Sequence, residues 1–165
     1  MDRPELTDGA AAPLLRFAAT VPSGLADLLA VEITALGGTD VRETGAGVSF
    51  GGTLETGYRA CLESRVASRV LLEVARGPVV DADALYALAR GIDWRNHLDP
   101  RGTLACEFTG THQAFHNTHF GALKLKDAIC DQLRDTTGQR PQVQTQQPDL
   151  RVHAHAYRGE IALLL

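Results

Sequence analysis

The spacing of apolar residues in the first part of the chain alternates between the periods of a strand and a helix. Leu15, Phe17 and Ala19 recur at every second position, which predicts a short strand. Apolar residues at helical spacing then run through residues 25–36 and end at Gly37-Gly38. A hairpin is predicted next, formed by Val41–Glu43 and Val48–Phe50. A helix then carries Leu54, Tyr58, Cys61 and Leu62, and a strand runs through Val70, Leu72 and Val74. The resulting order βαββαβ is that of a ferredoxin-like unit.

A second α/β pattern follows the break at Gly77-Pro78. Asp81 or Asp83 is placed to cap a helix, and the later elements are a strand, a long helix and two final strands. The strand is predicted at Leu104–Phe108 and the long helix at Asn117–Thr136, before Gly138. The two final strands are predicted at Leu150–Tyr157 and Ile161–Leu165. We therefore predict a mixed α+β chain with a disordered leader at residues 1–12, a ferredoxin-like domain at residues 13–76 and a second α/β domain at residues 77–165.

The composition is that of an ordinary globular protein. Of the 165 residues, 44% are hydrophobic and 22% are charged, which argues against disordered and fibrous architectures. No apolar run reaches the roughly eighteen residues of a membrane span, and acidic residues stand where a signal peptide would be apolar. We therefore expect a cytoplasmic protein with no membrane partner.

The three cysteines are Cys61, Cys106 and Cys130, an odd number without C-x-x-C spacing. Neither a disulfide framework nor a zinc ribbon is indicated by this arrangement. We expect all three to be small core residues.

Charge is distributed unevenly along the chain, whose net charge is −4. Residues 1–100 carry nine cations and fourteen acids, a balance of −5. Residues 101–165 carry seven cations and six acids, a balance of +1, together with five of the six histidines. The net charge argues against a uniformly basic nucleic-acid coat, and the distribution predicts an anion-binding surface in the C-terminal part.

The five C-terminal histidines fall into two groups, His112, His116 and His119 at helical spacing and His153 and His155 on one strand face. Such groups are candidates for metal binding. No acidic residue lies between His112 and His119 to orient a ligand, and only one His-x-Thr-x element, of the kind that two-histidine phosphodiesterases use in pairs, is present. We expect a polar surface without a metal, and keep a stand-alone phosphodiesterase or metal-dependent enzyme as the alternative function.

Two lysines, Lys124 and Lys126, lie on the long predicted helix. On a helical wheel Leu125, Ile129 and Leu133 form the buried side, and Lys126 falls beside them. A lysine next to an apolar stripe forms a structural ion pair, snorkels to solvent or contacts a phosphate. The sequence leaves these readings open.

Arg151, His153, His155 and Tyr157 occupy alternate positions of a predicted strand and therefore share one face. Cations and an aromatic ring on a sheet can contact phosphates and stack bases, although an ordinary solvated face explains the pattern equally well. If this strand lies beside the long helix, its arginine, the lysines and the amides of the helix N-terminus form one anion-binding patch.

The sequence contains no recognisable catalytic motif. Gly45-x-Gly47 is followed by a strand, so no helix N-terminus can receive a phosphate there. P-loops, complete glycine fingerprints and the Asn-Pro-Pro-aromatic or Asp-Pro-Pro-aromatic tetrapeptides of base-modifying amino-methyltransferases are all absent. We therefore assign no catalytic residue and no cofactor site to this chain.

Five motifs spread along the chain resemble one protein family. They are Ala19-Thr20-x-Pro22-x-Gly24-Leu25, Ser64-Arg65-x-Ala67-Ser68-Arg69, Gly91-Ile92-Asp93-Trp94, Asn117-x-x-Phe120-Gly121-Ala122-x-Lys124-x-Lys126-Asp127 and Pro148-Asp149-Leu150-Arg151-Val152. In order and spacing they resemble the N-terminal region of the bacterial 23S ribosomal RNA guanine-N2 methyltransferases.

The resemblance implies a ferredoxin-like domain followed by a THUMP domain, an RNA-binding module whose boundary in the family can lie as early as residue 45. It implies 23S rRNA as a partner, and a separate C-terminal methyltransferase domain that uses S-adenosylmethionine. We expect that catalytic domain to be absent here, because the chain stops inside an apolar run. For this partner the candidate RNA-binding residues of the chain are Asn117, Lys124, Lys126, Arg151, His153, His155, Arg65 and Arg69.

Overall fold

A computed structural model of the chain describes residues 13–165. The chain divides into two compact units, one within residues 1–72 and the other at residues 73–165. The division falls inside a strand at residues 69–78, which contributes its first part to the first unit and the remainder to the second. The leader expected at residues 1–12 lies outside the described residues.

The first unit has the element order that the apolar pattern predicts. Its elements are β1 (Leu15–Thr20), α1 (Ala26–Ala35), β2 (Thr39–Thr44), β3 (Gly47–Gly52), α2 (Leu54–Glu63) and the start of β4 (Arg69–Pro78). β3 pairs antiparallel with both β1 and β2, and the strand order is β2-β3-β1-β4. The predicted ferredoxin-like βαββαβ order is confirmed.

Two stacked aromatic rings lie in the core of the first unit. The ring centroids of Phe17 and Phe50 are 5.1 Å apart, and Leu29 and Ile33 of α1 are fully buried in the same core. The alternation of β1 thus identifies its buried face. The helical spacing identifies Leu29 and Ile33 correctly, but Leu25 and Leu28 of the same pattern are 39% and 52% exposed.

Helix α2 packs through small residues. Its buried residues are Thr56, Gly57 and Ala60, and a Cβ atom at Gly57 would lie 2.5 Å from the Phe17 ring. Because this approach leaves no room for a large side chain, the apolar residues that identify the helix in the sequence are exposed, namely Leu54, Tyr58, Cys61 and Leu62. The expectation that Cys61 is a core residue is therefore wrong.

The second unit continues β4 with three helical segments and four further strands. They are α3 (Ala82–Arg90), a 3₁₀ helix (Trp94–Asn96), β5 (Thr103–Gly110), α4 (Thr118–Thr137), β6 (Gln142–Val143), β7 (Leu150–Tyr157) and β8 (Glu160–Leu164). The strand order is β4-β8-β7-β5-β6, with β5 parallel to β6 and β7, and β8 antiparallel to β4 and β7. The sequence pattern does not indicate β6, whose two residues are exposed and too few to show a period.

Helix α4 covers one face of the second unit's sheet. As the helical wheel predicts, Leu125, Ile129 and Leu133 are fully buried, in a core shared with residues of α3, β5, β7 and β8. The helix ends at Gly138, whose φ of 74° is the left-handed conformation that glycine adopts readily. Across residues 13–165, no helix has both the length and the apolar character that crossing a membrane requires.

Two cysteines lie in this second core as expected. Cys130 is fully buried, and Cys106 packs against the same cluster. Burial raises the pKa of the Cys106 thiol. The thiol is therefore protonated at neutral pH and has little nucleophilic character.

A buried tryptophan anchors the segment between α3 and β5, which in the sequence leads into a polar stretch. The Trp94 side chain is fully buried, and its Nε1–H donates a 2.8 Å hydrogen bond to the Ala89 carbonyl. Asp93 caps the 3₁₀ helix by accepting a 3.2 Å hydrogen bond from the Arg95 N–H. The Gly91-Ile92-Asp93-Trp94 motif is therefore accounted for by packing and capping.

We expect Gly121→Ala to lower the free energy of unfolding by about 1–3 kcal/mol in urea denaturation. A Cβ atom at Gly121 of α4 would lie 2.4 Å from the Phe108 ring of β5. This clash outweighs the intrinsic helix preference for alanine over glycine, about 1 kcal/mol. Gly45→Ala is the control, because nothing lies within 4 Å of a Cβ there. A Gly121→Ala chain as stable as the original would show that α4 does not need this close contact.

Candidate nucleic-acid interface

The two faces of β7 have different surroundings. Val152, Ala154 and Ala156 are buried in the core that contains the apolar side of α4. The alternate residues, which therefore project from the other face of the strand, are Arg151, His153, His155 and Tyr157. The strand has the two faces that its sequence alternation predicts.

Lys124 and Arg151 consequently lie on opposite sides of the sheet. Helix α4, which carries Lys124, packs on the face of β5 that presents Phe108, because Gly121 lies against that ring. Arg151 projects from the reverse face, beside Glu107 of β5. The prediction that Lys124, Arg151 and the helix N-terminus form one anion-binding patch is therefore wrong, because neighbouring strand residues point to opposite faces.

Each lysine of α4 is paired with a carboxylate. Lys124 Nζ lies 3.0 Å from Oδ1 of Asp83 in α3 and 5.7 Å from the centre of the Tyr86 ring. Lys126 Nζ lies 2.7 Å from Oδ1 of Asp127, and the Lys126 side chain is 21% exposed. An ion pair, one of the interpretations left open for Lys126, is therefore present.

Asn117 caps α4. Its Oδ1 accepts a 2.7 Å hydrogen bond from the Phe120 N–H, which satisfies one of the free amides at the helix N-terminus. The residue is exposed. The capping bond uses the side-chain oxygen and leaves the NH₂ group of Asn117 available as a donor.

On the outer face of β7, Arg151 and His153 converge on one carboxylate. Arg151 Nη1 donates to Oε1 of Glu107, and its Nη2 donates a 2.7 Å hydrogen bond to the Thr145 carbonyl. His153 Nδ1 lies 3.1 Å from Oε2 of the same glutamate. The negative charge of Glu107 therefore compensates the positive charge that the sequence pattern predicts for the outer face of β7.

His155 follows on the same face. Its Nδ1 shares a 3.0 Å hydrogen bond with the Thr109 hydroxyl. Burial lowers the pKa of His155, and the positive charge of Arg76 lowers it further. The imidazole is therefore neutral at pH 7, and it can offer RNA a hydrogen bond but no charge.

Arg65 and Arg69, the predicted contacts in the first unit, flank a loop held by one glutamate. Glu32 of α1 accepts hydrogen bonds from the Ser64 hydroxyl and, at 2.9 Å, from the Arg65 N–H. These bonds lower the pKa of Glu32. Both arginines are exposed, and neither forms an ion pair with any residue in the range 13–165.

The histidines of the alternative function do not form a ligand cluster. Helix α4 begins at Thr118, so His112 and His116 lie in the preceding loop and lose the helical spacing that the sequence suggests. In the part of the chain that the structure describes, no group of three His, Cys, Asp or Glu side chains could hold a metal ion. A phosphodiesterase or metal-dependent enzyme built on these histidines is unsupported.

The second unit contains a cavity outside the predicted RNA-binding residues. Its volume is about 670 Å³, and its lining includes no acidic residue. The lining residues are Val79, Val80, Thr111, His112, Gln113, Arg158 and Gly159. One sequence signal points to this place, an arginine before glycine in a two-residue hairpin turn, where asparagine or aspartate is favoured.

Known protein families match both units. The THUMP domain matches residues 79–165, and the RlmL ferredoxin-like domain matches residues 16–71. The chain belongs to the THUMP domain family. The resemblance found in the sequence motifs is thereby confirmed, since the chain is homologous to the N-terminal region of ribosomal RNA large subunit methyltransferase K/L.

One such relative is ribosomal RNA large subunit methyltransferase K/L of Stutzerimonas stutzeri. It is 51% identical over 146 residues, which are 88% of this chain and 20% of the relative. The chain thus spans about a fifth of the length of the relative.

Two solved structures share the fold. A predicted N6-adenine-specific DNA methylase from Listeria monocytogenes has a TM-score of 0.78 and 20% identity, over 92% of this chain and 40% of that chain. SMU.472, a putative methyltransferase complexed with SAH, has a TM-score of 0.75 and 18% identity, over 93% of this chain and 41% of that chain. At these identities the similarity shows a common fold.

We expect Arg76→Gln to raise the pKa of His155 toward its usual value of 6.5, because the substitution removes a repelling positive charge. An NMR titration of the imidazole measures the pKa, and His155→Gln identifies its resonance. Arg90→Gln is the control, because that guanidinium pairs with Asp135 and does not act on His155. An unchanged pKa in Arg76→Gln would contradict the influence of Arg76.

The same titration has a consequence for stability. Because the pKa of His155 is lowered in the folded state, the unfolded chain binds the proton more readily. The contribution of the neutral imidazole to stability is complete above about pH 6.5 and is lost as the pH falls through the folded pKa. Thermal melts between pH 7 and 5 should therefore show a smaller loss of stability in His155→Gln than in the original chain.

Proposed function

We propose that this chain binds 23S ribosomal RNA on behalf of a methyltransferase that modifies guanine N2. The observation that carries the proposal is the 51% identity over 146 residues with a ribosomal RNA large subunit methyltransferase K/L. The THUMP match at residues 79–165 supports RNA as the ligand.

In this proposal the methyl transfer belongs to a separate C-terminal domain that binds S-adenosylmethionine. The sequence of this chain has neither a glycine loop between a strand and a helix nor a tetrapeptide for a target amine. The chain's own task is to hold rRNA in the cytoplasm and to present it to that domain.

The proposed RNA contacts form three groups. The first is Lys124 and Lys126 of α4 with the capping residue Asn117, the second is Arg151, His153 and His155 of β7, and the third is Arg65 and Arg69 in the first unit. In the first two groups the lysines and the arginine already hold carboxylates. An RNA phosphate must replace or share these partners, and such an exchange stabilises the complex less than pairing with a free cation. We therefore expect weak binding with little sequence selectivity.

A salt titration of binding to a ribosomal RNA hairpin tests this function. If Lys124, Lys126 and Arg151 engage phosphates, log affinity should fall with log salt at a slope of roughly −2 to −3. Lys124→Ala and Arg151→Ala should each reduce the slope by about one. Arg59→Ala is the matched control, because Arg59 is an exposed cation paired with Glu63 at 3.0 Å. No measurable binding at low salt would overturn the function.

Asp83→Asn separates a phosphate contact from a purely structural ion pair at Lys124. The Asp83 side chain is 92% exposed and its carboxylate lies 3.0 Å from Lys124 Nζ, so its neutralisation releases the lysine with little effect on packing. If Lys124 contacts RNA, Asp83→Asn strengthens binding severalfold at low salt, and Lys124→Ala abolishes the gain. If the Asp83→Asn chain and the original chain bind RNA with equal affinity, Lys124 does not contact RNA and serves only the ion pair with Asp83.

We also expect the chain by itself neither to bind S-adenosylmethionine nor to methylate RNA, since the motifs for both are absent from its sequence. Isothermal titration calorimetry measures cofactor binding directly. Micromolar affinity would show that the cofactor site lies in this chain.

A further inference from the structure

We propose that the cavity beyond β5 and β7 binds one nucleotide of an unpaired RNA segment, with its phosphate on Arg158 and its base against Tyr157. The inference rests on the proposed RNA-binding function. It adds to that function an RNA contact at a place away from the ion-paired Lys124 and Arg151.

The cavity lies where α/β sheets commonly bind ligands. β5 and β7 are parallel, and they end at Gly110 and Tyr157. Residues 111–113 and 158–159, which line the cavity, follow directly. Crevices beyond the carboxyl ends of parallel strands are general ligand sites. Arg151 stands near the opposite end of β7, about 20 Å away at a rise of about 3.3 Å per residue.

Arg158 brings to the cavity a positive charge that the protein does not neutralise. Among the residues that the structure describes, Arg158 has no ion-pair partner, and its Cζ lies 5.0 Å from the centre of the Tyr157 ring. The cavity lining contains no carboxylate. A guanidinium without an ion-pair partner, at a cavity without acidic residues, favours the binding of an anion. Its planar N–H donors can bind two oxygens of one phosphate.

His112 adds an unsatisfied hydrogen-bond donor. Its Nδ1 accepts a 3.1 Å hydrogen bond from the Ala114 N–H, so the proton of the neutral ring is on Nε2. That Nε2 atom is buried and has no partner within residues 13–165, which is an unfavourable arrangement for a donor. An acceptor from a bound nucleotide would satisfy it, and the exposed Thr111 and Gln113 supply further polar groups at the same cavity.

The backbone at Arg158 indicates that the turn alone does not require an arginine. Tyr157 pairs with Glu160 across the two-residue turn, and φ is 51° at Arg158 and 83° at Gly159. Positive φ at both positions is typical of a type I′ turn, which strongly favours asparagine followed by glycine. Arginine is strained in this conformation. A binding role of the Arg158 side chain therefore explains the residue better than a requirement of the turn does.

The size and aromatic neighbour of the cavity suit a single nucleotide. A volume of about 670 Å³ falls within the range of about 300–1,000 Å³ found for small-ligand sites. Tyr157 does not line the cavity, but it directly precedes the lining residue Arg158 and is 56% exposed, so a base can stack on it beside that guanidinium. Bases in a duplex are already stacked on each other, so an aromatic ring recognises unpaired RNA.

The experiment compares Arg158→Asn with Arg101→Ala in the full 165-residue chain, using a short unpaired RNA and a duplex of equal length. Arg101 lies in the same unit with a side chain that is 79% exposed, and its loss removes the same charge. We expect Arg158→Asn to bind the unpaired RNA about tenfold more weakly than Arg101→Ala. Its salt slope should be shallower by about 0.7. Because asparagine suits the turn, the melting temperature should be unchanged or higher, which excludes misfolding as the cause.

Tyr157 tests the stacking half of the proposal. Tyr157→Ala should weaken binding of the unpaired RNA roughly fivefold to a hundredfold, and Tyr157→Phe should retain it. Binding by Arg158→Asn as tight as by Arg101→Ala would overturn the inference and leave the proposed function standing. A failure of the original chain to bind either RNA would overturn both.

Discussion

The burial of the apolar side of α4 against β5 and β7 determines where polar groups of the second unit can lie. Leu125 and Ile129 of α4 and Val152 and Ala154 of β7 are all fully buried in this contact. Once one face of a strand is committed to a helix, alternation directs every second residue to the other face. The outward position of Arg151 is therefore a consequence of core packing, and it separates the cationic groups of helix and strand.

The two kinds of cation in the second unit differ in their electrostatic environment. Lys124 and Arg151 lie on the surfaces of regular elements, where Asp83 and Glu107 are close enough to compensate them. Arg158 stands in a turn beyond the sheet, where it contacts an aromatic ring and forms no ion pair with any residue in the described range. A compensated cation must release or share its carboxylate to contact a phosphate, whereas an uncompensated cation attracts an anion without that exchange.

Local patterns in the sequence were sufficient for the helices, the longer strands and the buried side of α4, because periodicity and capping act over a few residues. The candidate site was harder to predict. Lys124 and Asp83 are 41 residues apart, and Arg151 and Glu107 are 44 apart, so their pairing depends on helix packing and strand register. The buried face of α2 was also hidden, because a glycine against the Phe17 ring has no signature in a hydrophobicity pattern.

That glycine contact leaves the large apolar residues of α2 facing water. Tyr58 and Leu62 are 60% and 84% exposed, and apolar groups on a surface promote self-association unless like charges keep molecules apart. The net charge of −4 at pH 7 provides this repulsion. Acidification that titrates the carboxylates removes the repulsion while the apolar surface stays, so the exposed side of α2 favours self-association near the isoelectric point of the chain.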